Sequence, residues 1–399
     1  MRKTLLILLV IPALVWGQYR DIPDVVTKVA TAAGSFLKLE TSARAIGMGG
    51  ANVASGRGVA GIPYNPSSIG FIQKSEVYFS QVNYLAGIKH GVFTYGTRLS
   101  PSDFVGFHLF YLDSGPMEVT TELFPDGTGE DFQVISMAAR VTYARSLTDR
   151  LKIGGSINYI RDKIAETGMQ AVSYDIGSNF DTGIYGTILG MSITNFGPDV
   201  EYAGEDLSVQ VPDTIDVDGS LERITNKFPL PLIFRLGIEN ELLGPNSTFM
   251  KSDKHRLILS MDGIKPSDYI VYGSMGLEYG WQNLAFVRAG THLKHDTARL
   301  SAGVGVNLRL GRMALRVDYA YVDYDVLKQT NQIAARRERI AKTRTIKIAE
   351  NIIRRRFGTH QRDMANTMFQ RVSAREIDPH SAAIKLLATL DKGIGNDSN

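Results

Sequence analysis

The 399-residue chain has no cysteine, which excludes disulfide staples, thiolate metal ligands and a lipid anchor on a cysteine. It also lacks any apolar run approaching the ~20 residues that a membrane-spanning helix needs; residues 5–15 fall short of that. Neither G-x-S-x-G nor H-E-x-x-H occurs, so the nucleophile elbow of a serine hydrolase and the zinc helix of a metalloprotease are both missing. Gly303-x-Gly305 is not followed by a helical pattern and does not form a dinucleotide loop. An enzymatic role, a cofactor and a metal are therefore not expected.

What is present begins with a leader. Arg2 and Lys3 precede the apolar residues 5–15, and Val15 and Gly17 stand at −3 and −1 of a cut before Gln18, so residues 1–17 read as a signal peptide. The exported chain is rich in glycine (39) and in Phe and Tyr (17 each), a composition that fits an antiparallel barrel with tight turns and aromatic girdles. Strands about ten residues long, the length a tilted membrane strand needs, are expected near 76–85, 88–98, 104–113, 132–146, 151–162, 170–181 and 183–195. A second group follows near 229–242, 254–264, 270–280, 283–293, 298–309 and 312–324, which makes thirteen. Their alternation has period two, as in Ile153, Gly155, Ile157 and Tyr159 against Gly154, Ser156 and Asn158.

The fold class expected is all-β, a transmembrane antiparallel barrel; a soluble exported β-protein, with its apolar face turned inward, is the weakest alternative. Connections 114–131 and 196–228 are long and fall on one side of the strand series, whereas those on the other side are short except 243–253. Outer-membrane barrels carry their longer loops outside, so the first strand is expected to rise from the periplasm.

Between leader and strands lies a stretch of a different kind. Gly47, Gly49, Gly50, Gly56, Gly58 and Gly61 crowd one window, which disfavours a regular helix and permits close backbone approach. Asn65 before Pro66 marks a turn. Arg44 is the only full charge between Glu40 and Arg57, so it is the candidate to dock on a wall carboxylate and pin a plug at the periplasmic mouth.

The ordered pieces Ala33-Gly34, Phe36-Leu37, Ala43-Arg44, Met48-Gly49-Gly50-Ala51 and Asn65-Pro66 resemble the N-terminal signature of the PorV/PorQ outer-membrane proteins, relatives of the FadL-type transporters. The likeness extends over about residues 30–324. It implies a barrel of about fourteen strands with an N-terminal luminal hatch made by Phe36, Arg44, Gly47, Gly49, Gly50, Asn65 and Pro66. It also implies a role in the outer membrane, either with secretion-system proteins and exported cargo of type IX secretion or as a channel for hydrophobic small molecules. Ser67 stands where the family usually has Ala. Outer-membrane lipids are expected partners, and nucleic acid is not.

The expected organisation is thus a signal peptide (1–17), an N-terminal segment and hatch (18–75), a barrel (76–326) and a helical or disordered basic tail (327–399). Past Tyr324 the alternation is lost. Residues 327–399 hold fifteen Lys and Arg against seven Asp and Glu, a net of +8, while the rest holds 29 against 34, a net of −5. His292 and His295, three apart, are expected on opposite faces near a loop. The acidic loop with Glu118, Glu122, Asp126, Glu130 and Asp131 matches no defined calcium motif and is read as solvated.

Overall fold

The computed structural model describes residues 31–210, 220–221, 224–295, 300–310, 313–324 and 329–339. The leader and the basic stretch from residue 340 onward lie outside them. The described chain forms a closed barrel of fourteen antiparallel strands. In order they are β1 (Ser75–Asn83), β2 (Lys89–Arg98), β3 (Asp103–Asp113), β4 (Val134–Ser146), β5 (Leu151–Ile164), β6 (Thr167–Asp181) and β7 (Thr187–Phe196). There follow β8 (Ile233–Leu243), β9 (His255–Pro266), β10 (Tyr272–Trp281), β11 (Ala285–Leu293), β12 (Leu300–Leu310), β13 (Met313–Asp323) and β14 (Gln329–Arg339). Each strand pairs with its chain neighbour, and β1 pairs with β14 from Ser75↔Arg339 to Asn83↔Asn331, so no edge is left open.

The burial pattern is inside out. On β5 the outward residues Ile153, Ile157 and Tyr159 are exposed, while Ser156, Asn158 and Asp162 point inward and are buried. Ile157 on β5, Tyr174 on β6, Val287 on β11 and Val304 on β12 repeat the pattern around the wall, each more than half exposed. A soluble sandwich turns its apolar face in. This wall turns it out, as a barrel in lipid must.

β14 is the fourteenth strand that the resemblance implies and that the alternation did not pick out, and it moves the start of the tail beyond residue 327. It lies in the stretch assigned to the basic tail, where apolar alternation fails for a physical reason. Its inward residues are Thr330, Gln332, Ala334 and Arg336, and only Ile333 and Ala335 are apolar among the four outward positions 331–337. Arg336 is not a solvated charge, because Glu76 on β1 binds it at 2.7 Å across the closing seam.

Loops 114–133 and 197–232 lie at one end of the barrel, hereafter the long-loop end; connections 99–102, 147–150, 182–186 and 282–284 lie at the other. The longer loop folds back on the barrel. Val200 and Phe228 exchange backbone hydrogen bonds (2.8 and 2.7 Å), and Ala203–Gly204 adds to the end of β6. Under it Val200 and Leu230 are buried in one apolar cluster with Phe110, Met169 and Phe36.

A chain truncated after Tyr324 is expected to lose heat-modifiable gel migration, since β1 and β13 would both present open edges. Retained migration would show that thirteen strands suffice.

Candidate functional site

The segment before β1 fills the lumen. Three short 3-10 turns (Ser35–Lys38, Val59–Gly61, Pro66–Phe71) and one short helix, α1 (Ala43–Gly47), carry it. Ser42 caps α1 by accepting from the Ala45 N–H. Asn65 caps the last 3-10 turn, with Pro66 at its first position.

Its course differs from the expected plug at the short-turn mouth. At the long-loop end the Ala33 N–H donates to the Pro229 carbonyl (3.0 Å) and Lys38 pairs with Asp268 (2.6 Å). The chain then descends to β1 at the other end. The hatch therefore runs the length of the barrel. Loop asymmetry alone located only its exit.

Arg44 sits at the centre of the polar contacts. Its Nε and Nη2 donate to Glu278 Oε2 (2.9 Å) and Oε1 (3.2 Å) on β10, a two-pronged pair, and its Nη1 donates to the Ser55 carbonyl (3.0 Å) and Asn52 Oδ1 (3.2 Å). Glu278 is shared. Arg288 Nε lies 2.6 Å from its Oε2 and Arg316 Nη2 3.4 Å, while both arginines also bind Asp318, at 2.9 and 3.1 Å.

Further along, the wall receives hatch backbone directly. Asp262 Oδ2 accepts from the Asn52 and Val53 N–H groups (2.7 and 2.8 Å), Glu76 Oε2 from Val59 (3.1 Å) and Ser301 Oγ from Gly49 (2.9 Å). Arg57 reaches Glu239 on β8 at 2.8 Å. Asn65 Nδ2 donates to the carbonyls of Val53 and Ser178, both at 2.9 Å, and its Oδ1 accepts from Ser67. Ser67 Oγ in turn accepts from Asn179 Nδ2 (2.8 Å), a bond that an alanine at this position could not make.

The glycines serve close packing from both sides. A Cβ on Gly290 would lie 2.1 Å from Gly49 N, and one on Gly177 would lie 2.2 Å from Asn65 Oδ1. Inward-facing wall glycines stand opposite each other in register, Gly96↔Gly106, Gly154↔Gly177, Gly190↔Gly237 and Gly276↔Gly290. On the hatch, Gly49 and Gly50 take positive φ (63° and 78°), and Gly47 packs on Gly303. Phe36 lies apart from this group, stacked on Phe110 at 5.5 Å in the apolar cluster.

Sequence reasoning singled out the hatch residues but missed their wall partners Glu278, Asp262, Arg288 and Asp318. The available signal was a full charge in mid-strand at an inward position. His292 and His295 are also corrected: their rings lie 5.4 Å apart, because β11 ends at Leu293 and strand alternation stops before His295.

Among the described residues, two voids beside the hatch are small. One of about 20 Å³ lies among Arg44, Arg57, Arg316, Arg336 and Asp318, and another of about 20 Å³ among Glu40, Tyr84, His90 and Gln332; each has room for about one water. A concavity of about 670 Å³ opens on the membrane-facing wall, lined by Tyr143, Ile157, Tyr174 and Phe196 and reaching the inward residues Ser156 and Asp175.

Comparison with known families joins this geometry to the sequence. The family model for type IX secretion system protein PorV matches residues 23–228, which include the entire hatch and seven barrel strands. The chain belongs to the PorV family. No curated protein matches it. Among solved structures, the barrel is similar to the Pseudomonas putida toluene transporter TodX (13% identity, 75% of this chain and 97% of that one, TM-score 0.48). It is similar in the same way to the Ralstonia pickettii toluene transporter TbuX (12%, 76% and 99%, TM-score 0.48) and to a Pseudomonas aeruginosa FadL homologue (9%, 75% and 98%, TM-score 0.48). Membership of the family and the inside-out barrel make this an outer-membrane protein.

Arg44→Ala is expected to weaken hatch seating by about 2 kcal/mol, the scale of hydrogen bonds to a charged group, because Glu278 keeps Arg288 and Arg316. Gly290→Val is expected to cost more, since backbone must move. Limited proteolysis of residues 33–66 in the folded barrel would measure both, and unchanged protection in both variants would refute the anchoring.

Proposed function

We propose that this PorV-family barrel is a non-enzymatic component of type IX secretion that holds secretion-system proteins or exported cargo through its loops and rim. The observation that supports the reading is how tightly the hatch is seated in the lumen among the described residues. A pathway for a small hydrophobic molecule requires a cavity of about 300 Å³ or more, and the voids beside the hatch are about 20 Å³ each. Around them the lumen is crossed by ion pairs between hatch and wall, Arg44 with Glu278 and Arg57 with Glu239. In this reading Arg44, Gly47, Gly49, Gly50, Asn65 and Pro66 keep the hatch seated, Phe36 anchors its upper end, and residues 1–17 direct export.

The second reading is a channel for hydrophobic small molecules, the activity printed in the names of the similar toluene transporters. It requires the hatch to leave its seat. The ion pairs and the backbone bonds to Asp262 and Glu76 oppose that.

In planar bilayers the wild-type barrel is expected to be silent and Arg44→Ala to show openings. Affinity purification from the host is expected to recover other secretion components. Passage of a hydrophobic compound by wild-type proteoliposomes, with no secretion protein recovered, would reverse the order of the two readings.

A further inference from the structure

Lipid covers the outward apolar residues of the strands, but two apolar residues are exposed where the wall has ended. The connection between β3 and β4 continues both strands into a small hairpin, in which Met117–Glu118 pairs with Asp131–Phe132. At its tip Leu123 and Phe124 are 85% and 59% exposed, and Leu123 is the most exposed large apolar side chain among the described residues. Tyr111, an outward ring near the end of β3, stands where barrels carry their aromatic girdle. The tip lies past that ring, in the loop, where lipid around the wall does not account for its exposure.

The tip is a built structure. The Val119 N–H donates to the Glu130 carbonyl and the Thr128 N–H to the Val119 carbonyl, both at 2.8 Å. Thr121 and Phe124 exchange backbone bonds at 3.2 Å, and the Phe124 N–H also reaches Thr121 Oγ1 at 3.2 Å. A preformed tip loses little freedom when it binds. Its surroundings define what it fits. Glu118, Glu122, Asp126, Glu130 and Asp131 are exposed around the pair, and residues 114–133 contain no Lys or Arg. An apolar pair with basic neighbours would suit anionic headgroups; with these carboxylates it is repelled by them. The complementary surface is an apolar cleft rimmed by Lys and Arg.

We propose that the tip of this hairpin docks into a protein partner, with Leu123 and Phe124 entering an apolar cleft whose rim carries Lys and Arg. The site rests on the reading of the barrel as a holder of protein partners and gives that role to one loop. Burial of the two side chains supplies affinity, and the carboxylates around them steer the approach and fix its direction.

The full chain carrying p-benzoylphenylalanine in place of Phe124, irradiated in host cells, tests the site through the sequence of the crosslinked peptide. The expected adduct is a protein whose crosslinked peptide carries Lys or Arg beside apolar residues. Adding Leu123→Asp is expected to lower its yield about tenfold, the loss of one buried anchor. Adding Glu122→Lys with Asp126→Lys is expected to lower it about threefold, the scale of exposed ion pairs. Heat-modifiable migration is checked first in each variant, so that a lost barrel is not read as lost docking. The same photoreactive residue in place of Ile184, exposed on a short turn at the other end, is expected not to give this adduct. No adduct, an adduct with lipid or with a second copy of this chain, a crosslinked peptide without basic residues, the same adduct from position 184, or a yield unmoved by either set of changes would overturn the site. An adduct of the expected chemistry on a protein outside type IX secretion would uphold the docking site and remove the secretion reading.

Discussion

A chain folded inside a barrel must find a partner for each buried backbone polar group on the wall or within itself, and the architecture follows from that requirement. The hatch has little regular structure to satisfy its own N–H groups, so inward wall residues replace a helix or sheet ladder. Asp262, Glu76 and Ser301 accept from hatch amides, and Gln332 Nε2 and the Tyr78 hydroxyl donate to the Thr41 carbonyl. Such contacts need the two backbones close together. In-register glycine pairs supply the space on one side, and the glycine cluster after α1 supplies it on the other.

Charge does a different job from backbone satisfaction. Burying Arg44, Arg288 and Arg316 with Glu278 and Asp318 gives little net stability, because desolvation offsets much of the attraction. It does fix position. An Arg44 displaced by one turn would leave Glu278 to the wall arginines and lose its own two-pronged pair. The hatch thus has one low-energy register, although glycine-rich chain by itself has many.

The fold was legible where lipid imposes alternation. Thirteen strands follow from period-two apolar patterning, and loop lengths show which ends of the strands lie together. β14 escaped because its inward face is Thr, Gln and Arg, and Arg336 reads as a tail charge until Glu76 is seen opposite. The hatch stood out through its glycines and Arg44, but its partners did not, since a carboxylate such as Glu278 is tied to Arg44 only by closure of a barrel 234 residues further on. Loop lengths likewise reveal nothing of the upward course of residues 33–38, which depends on the Pro229 carbonyl and Asp268 in loops remote in sequence.

Glu76 belongs to three parts of the molecule at once. As the second residue of the first strand, it accepts the Val59 amide from the hatch and the Arg336 guanidinium from the last strand, a contact spanning 260 residues of sequence. A growing chain makes the hatch and β1 first, yet this carboxylate lacks its counter-charge until the final strand arrives. The closing seam and the hatch therefore share one carboxylate.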